Sequence, residues 1–162
     1  MKNKGFSLIE LMVVLVVLAV LASLAIPSFT GLIRASRLSA QANDFYAALS
    51  LARSEAVKRN SSVSVCASSD GAACAASWSS GWLVRLGTNG TVLQVYPALS
   101  AGNTLVAAGA LASVVFLPSG QAQQAASFEL CGSDDSVNSS QSRNIQVSLA
   151  GRVQSTKPGT CN

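Results

Sequence analysis

The rhythm of apolar positions along the chain changes twice, at Pro27 and after Asn60. From Phe6 to Ile26 the residues are apolar except for Ser7, Glu10 and Ser23. These 21 residues predict a helix of about 31 Å, the thickness of one hydrocarbon core. Beyond Pro27, Ala35, Leu38, Ala42, Phe45, Leu49, Ala52 and Ala56 recur at steps of three and four, the pattern of an amphipathic helix. Arg34, Arg37, Gln41, Asp44, Ser50, Arg53 and Ser54 lie off that stripe. The second helix is therefore expected to continue the first and to end at Lys58 or Arg59, before Asn60. Pro27 removes one backbone hydrogen bond and Gly31 weakens the helix beside it, which predicts a kink at Pro27.

From Ser61 the period shortens to two, with Val63 and Val65 alternating with serines up to Cys66. Strands are expected over 61–66, 81–86, 91–96, at Leu105–Val106, and over 114–117, 128–131, 145–149 and 152–155. Asn89-Gly90 reads as a type I′ hairpin turn, and Pro118-Ser119-Gly120 as a stop. The stretches 67–80 and 132–142 read as polar loops. The fold class is α+β, with one long N-terminal helix, half transmembrane and half amphipathic, packed on an antiparallel β head. The expected divisions are 1–5, 6–26, 27–60 and 61–162.

Composition agrees with that division. Of 162 residues 49% are apolar and 11% charged, and the N-terminal run accounts for much of the imbalance. Formal net charge is +4. Lys2 and Lys4 precede the apolar run without an acidic residue, so the N-terminus is expected on the cytoplasmic side and the remainder outside. That compartment permits disulfides. Cys66, Cys74, Cys131 and Cys161 allow three full pairings. Cys66–Cys74, closing a small loop, and Cys131–Cys161, stapling the C-terminus to the core, is the favoured one. A zinc site is disfavoured by the absence of histidine and of any C-x-x-C pair.

The N-terminal run admits three readings. A cleaved secretory signal has a shorter apolar core and a small-residue cleavage site, neither of which is present. A plain anchor accounts for the length but not for Glu10, since a carboxylate in an apolar span is costly and calls for a partner. The third reading uses every residue. The run Lys4-Gly5-Phe6-Ser7-Leu8-Ile9-Glu10 closely resembles the leader junction of type IV pilins and type II secretion pseudopilins. The resemblance implies cleavage after Gly5 by a prepilin peptidase and N-methylation of Phe6. It also implies an assembly role for Glu10, paired with the Phe6 ammonium of a neighbouring subunit. Removal of the leader with Lys2 and Lys4 lowers the net charge from +4 to +2.

Later segments narrow the family. Ala52–Asn60 resembles the helix end of the GspH/FimT group of minor pilins and pseudopilins. Trp78 with Gly81-Trp82-Leu83-Val84 resembles that group's W-x-x-G-W strand entry, and Phe116–Gly120 and Gly151-Arg152-Val153 resemble its later strands. Within the group the chain looks most like the FimU- and FimT-type minor pilins. The resemblance implies a type IV pilin-like fold and a minor pilin for pilus assembly in a priming or tip complex, first in the bacterial inner membrane with the head in the periplasm, then in the pilus at the cell surface. Its implied partners are the prepilin peptidase, the major pilin, other minor pilins and the inner-membrane assembly platform. A minor pseudopilin of type II secretion and a DNA-binding pilin for natural transformation are the alternatives.

Chemistry beyond assembly is sparse. Without histidine no Ser-His-Asp or Cys-His arrangement exists, and the adjacent Asp134 and Asp135 do not flank a substrate. No enzyme activity, cofactor or metal is expected. Arg143, Arg152 and Lys157 form a basic tail with no acidic residue after Asp135 and are the candidate DNA-binding residues. FimT-type subunits bind DNA through a G-R-x-R motif. Here it stands as Gly151-Arg152-Val153-Gln154, one phosphate-pairing charge short, which argues against DNA as a partner. Trp78 and Trp82 are expected to pack against Phe45 and Leu49 rather than to form a stacking platform.

Overall fold

The computed structural model describes residues 7–133, 142–157 and 161, with the side chains of 24–28 and 110 excepted. The elements are a helix α1 (Leu8–Arg59) and strands β1 (Val63–Ala67), β2 (Trp82–Leu86), β3 (Val92–Tyr96), β4 (Thr104–Ala107), β5 (Ser113–Phe116), β6 (Ala126–Cys131), β7 (Arg143–Val147) and β8 (Val153–Thr156). The chain divides into two compact units, Met1–Ser36 and Arg37–Asn162.

In the first unit α1 begins at Leu8 and passes through Pro27 and Gly31 as helix. Every side chain described from Ser7 to Ser23 is exposed. Among the described residues no helical stretch is long and apolar enough to cross a membrane. The run 6–26 expected to do so extends at both ends past the described side chains. Gly5 and Phe6 lie outside the described residues, as does the side chain of Pro27.

In the second unit the helix ends on a left-handed residue. Asn60 has φ 48°, its N–H bonds the Val57 carbonyl, and the Ser61 N–H bonds the Ala56 carbonyl. This is a Schellman motif, with asparagine in the place usually taken by glycine. The predicted stripe faces inward: Leu38, Ala42, Phe45, Leu49, Ala52 and Ala56 are buried, and Ala35, in the first unit, is half-buried. Ala48 joins the stripe.

The strands form two four-stranded antiparallel sheets, ordered β3-β2-β1-β5 and β4-β6-β7-β8. Phe45 bridges them. Its ring stands edge-on to Trp78 and Trp82, 5.6 and 5.1 Å away by centroids, and to Phe128 of β6 at 4.8 Å. The two tryptophans thus pack against the helix as expected, and Trp78 also donates Nε1–H to the Leu111 carbonyl at 2.8 Å. β1 is buried along its whole length, as a central strand packed on both faces should be, whereas β6 alternates buried and half-buried.

The β2–β3 connection departs from expectation. The Leu86 N–H bonds the Thr91 carbonyl, so the loop holds four residues, Gly87–Gly90. Its left-handed residue is Gly87 at φ 55°, and neither Asn89 nor Gly90 has positive φ. A type I′ turn requires positive φ at both central residues, so Asn89-Gly90 does not form one. A bulge between Val84 and Arg85 shifts the register across β2 and β3, and the longer loop absorbs that shift. The two favoured disulfides are present, with Cα atoms 5.6 Å apart for Cys66–Cys74 and 5.9 Å for Cys131–Cys161.

Candidate functional site

Two candidate places, one around Glu10 and one around Arg152, stand out among the described residues. In the first unit, Glu10 lies in the first turn of α1 and is exposed. It is the only charged residue between Ser7 and Ser23. Leu8, Ile9, Leu11, Met12, Val13 and Val14 around it are all exposed as well. A helix that is apolar on every side is a buried helix without its surroundings. A carboxylate within it is stable only against a cation or in water.

In the second unit, an open groove of about 1080 Å³ runs between α1 and β8. Its helix wall includes Tyr46, Arg53, Val57 and Lys58, and its strand wall is the continuous stretch Arg152–Thr156. Two glycine turns lie beside it, against the Arg53 side chain. Gly120 and Gly151 adopt φ 78° and 74°, and a Cβ on Gly151 would stand 1.9 Å from the Gly120 carbonyl oxygen. Only glycine fits there. The Arg53 guanidinium ties both turns to the helix, donating Nε–H to the Gly120 carbonyl at 3.0 Å and from NH2 to the Ala150 carbonyl at 3.3 Å. Arg152 follows Gly151 directly and is exposed.

The groove is basic. Arg53 and Arg152 have no carboxylate partner among the described residues. Lys58 shares Glu55, 3.7 Å away, with Arg59. The Arg59 hydrogen bond holds the Glu55 carboxyl below its usual range. Among the described residues no carboxylate lines the groove.

The structure regroups the predicted cations. Arg152 meets Arg53 and Lys58 rather than Arg143 and Lys157. Lys157 is exposed beyond the end of β8 and does not line the groove. Arg143 is 7% exposed, with its guanidinium on the Ser39 hydroxyl at 2.8 Å and the Ser142 carbonyl at 3.2 Å. Burial lowers its pKa from the ordinary arginine value, and it is not a surface cation. Sequence reasoning missed Arg53 as a site residue. It is one of several off-stripe positions on the helix, and its carbonyl partners come 67 and 97 residues later. Asp134 and Asp135 lie outside the described residues. Among the described residues no group of His, Cys, Asp or Glu is placed to hold a metal ion.

The family model GspH, described as type II transport protein GspH, matches residues 41–151. The prokaryotic N-terminal methylation motif matches residues 1–26. No curated protein sequence matches significantly. The type IV minor pilin FimU of Pseudomonas aeruginosa superposes with a TM-score of 0.64 at 23% identity, over 78% of this chain and 96% of that one. The minor pseudopilin EpsH of the type 2 secretion system of Vibrio cholerae superposes with a TM-score of 0.54 at 16% identity, over 78% of this chain and 98% of that one. At these identities the likeness is one of fold, a long N-terminal helix with antiparallel sheets.

Proposed function

The chain belongs to the GspH family, and from that membership we propose that it is a minor pilin of a type IV pilus, acting by assembly rather than catalysis. The observation that carries the proposal is the helix from Leu8 to Ser23, apolar and exposed on every side, inside a match to the N-terminal methylation motif. Such a helix requires an apolar environment, and none of its described side chains is buried.

In this reading the prepilin peptidase cuts after Gly5 and Phe6 is N-methylated. The stretch 6–26 holds the subunit in the inner membrane as a single pass, with residues 61–162 in the periplasm. Extraction into the filament then exchanges lipid for neighbouring pilin helices. Glu10 sets the stagger, because a wrong register leaves its carboxylate unpaired in an apolar bundle, whereas the correct one places it against the Phe6 ammonium of the next subunit. The head meets other minor pilins near the filament tip.

The test is a Glu10→Ala chain expressed beside wild type. It should insert in the membrane and be processed normally, with the mature N-terminal mass reporting cleavage and methylation, yet be missing from sheared filaments. Normal incorporation of the variant would refute the role given to Glu10. The second reading is a minor pseudopilin of type II secretion, favoured by the description of the family and by the EpsH fold. Deletion of the gene separates the two, since one reading predicts loss of surface pili and the other retention of secreted proteins in the periplasm.

A further inference from the structure

β8 ends its sheet, and its open side is the strand wall of the groove. Successive side chains of a strand point to opposite faces, so a groove touched by all of 152–156 runs along an edge and not over a face. The ladder shows which backbone groups look into it. The Ser148 N–H donates to the Arg152 carbonyl at 3.0 Å, which makes Ser148 and Arg152 a hydrogen-bonded pair. Alternation along an antiparallel pair and the register Gln146↔Gln154 and Asn144↔Thr156 continue that series. The N–H and C=O of Val153 and Ser155 therefore point away from β7, into the groove. Neither residue has another backbone partner among the described residues. Val153–Thr156 contains no proline and no charge, the devices that usually guard an edge.

We propose that this groove seats an extended segment of a neighbouring subunit, alternating acidic and apolar residues, which adds as a strand along β8. The proposal rests on the reading of the chain as a filament subunit, which supplies the neighbour. The incoming backbone takes the N–H and C=O of Val153 and Ser155. Its carboxylates lie against Arg152, which no carboxylate neutralises among the described residues. Its apolar side chains lie on Tyr46 and Val57, which the helix leaves exposed. Pockets for alternate side chains with main-chain bonds between them are the usual means by which a sheet edge recognises a strand. A nucleic-acid backbone fits less well. Phosphate oxygens accept hydrogen bonds and do not donate, so they leave the Val153 and Ser155 carbonyls without partners. Of the three cations in the groove, one is shared with Glu55, which leaves few phosphate contacts.

The test uses the full chain in detergent micelles, a labelled peptide alternating glutamate and valine, and fluorescence anisotropy. Wild type should bind saturably, and the same peptide with lysine for glutamate should not. Ser155→Pro removes an edge donor without touching a β7 bond and should weaken binding about tenfold. Arg152→Glu changes only an exposed side chain and should weaken it by a similar factor at low salt. Amide exchange at Val153 and Ser155 should slow when the peptide is present. Absence of peptide binding by wild type overturns the proposal, and so does unchanged affinity in both variants. Binding of a short DNA duplex that Arg152→Glu abolishes and Ser155→Pro spares, with no exchange protection on β8, overturns it in favour of a polyanion site. A chain that binds the peptide but never enters filaments refutes the filament reading and leaves the strand site standing.

Discussion

Two stretches of α1 meet opposite surroundings. Between Leu8 and Ser23 every side chain is exposed, although most are Leu, Val, Ile or Met. Between Leu38 and Ala56 the inward stripe of apolar side chains is buried. The second stretch has found its partners within the chain. The side chains of the first stay exposed, and each large aliphatic one leaves about 1.5–3 kcal/mol of transfer free energy unrealised. That unrealised burial is available to a membrane or a filament, and it is where the proposed assembly chemistry lies. The head, with its own core and both disulfides, owes its stability to contacts made after residue 36.

If that division is right, substitutions in the head should change unfolding and leave the N-terminal helix alone. The largest effect is expected for Phe45→Ala. Its ring touches Trp78, Trp82 and Phe128 and joins the two sheets, so the cavity should cost about 4 kcal/mol. Denaturant unfolding of the full chain in micelles, followed by tryptophan fluorescence, measures it. The helicity of the micelle-bound segment, read by circular dichroism, should persist. Replacing Cys131 and Cys161 by serine opens a loop of 30 residues and should cost about 3.5 kcal/mol on the chain-entropy account. The Cys66–Cys74 pair closes only 8 residues and should cost about 2.5 kcal/mol by the same rule. Gly151→Ala combines a positive φ with an overlap on the Gly120 carbonyl and should cost about 3 kcal/mol. A smaller loss would mean that the two turns can separate, and Arg53 would then let go of at least one of them.

A weaker effect follows from Asp70. Its carboxylate accepts the N–H groups of Ala73 and Ala72 at 2.9 Å each. These bonds, Ala73 first, hold its pKa below the ordinary aspartate value. A depressed pKa contributes stability that is present above the unfolded value and lost as pH falls through the folded one. The loop closed by Cys66 and Cys74 should therefore weaken below about pH 4. Asp70→Ala should flatten that part of the pH profile, and amide exchange at Ala72 and Ala73 reports it locally.

The inward stripe, the helix end at Asn60 and most strand centres were legible, because each depends on residues near one another or on a period repeated locally, and the cysteine pairing was legible because four cysteines allow only three pairings. Partition of eight strands into two sheets was not, since pairing of β1 with β5 and of β4 with β6 leaves no mark on the period. The hairpin failed for a related reason. Asn89-Gly90 satisfies the local rule for a two-residue turn, but the bulge at Val84 and Arg85 sets a longer loop. Arg143 shows the same limit in the site. In sequence it is one of three cations in a tail without acids, and in the fold its guanidinium turns inward to Ser39 of α1.

The smallest predicted effect isolates the comparison most cleanly. Leu18 is 55% exposed, and it has the same residue type as Leu49, which is fully buried. Leu49→Ala should cost the head about 3 kcal/mol. Leu18→Ala removes the same atoms, yet it should leave head unfolding within about 0.5 kcal/mol of wild type, because that side chain is exposed. Its consequence should surface elsewhere, as reduced recovery of the subunit in sheared filaments, where neighbouring helices would have covered it. A Leu18→Ala chain with destabilised head unfolding would show that the two stretches are energetically coupled. A chain with normal unfolding and normal filament recovery would show that burial of this position contributes little to assembly. In that case Glu10, and not the apolar surface around it, would carry the register.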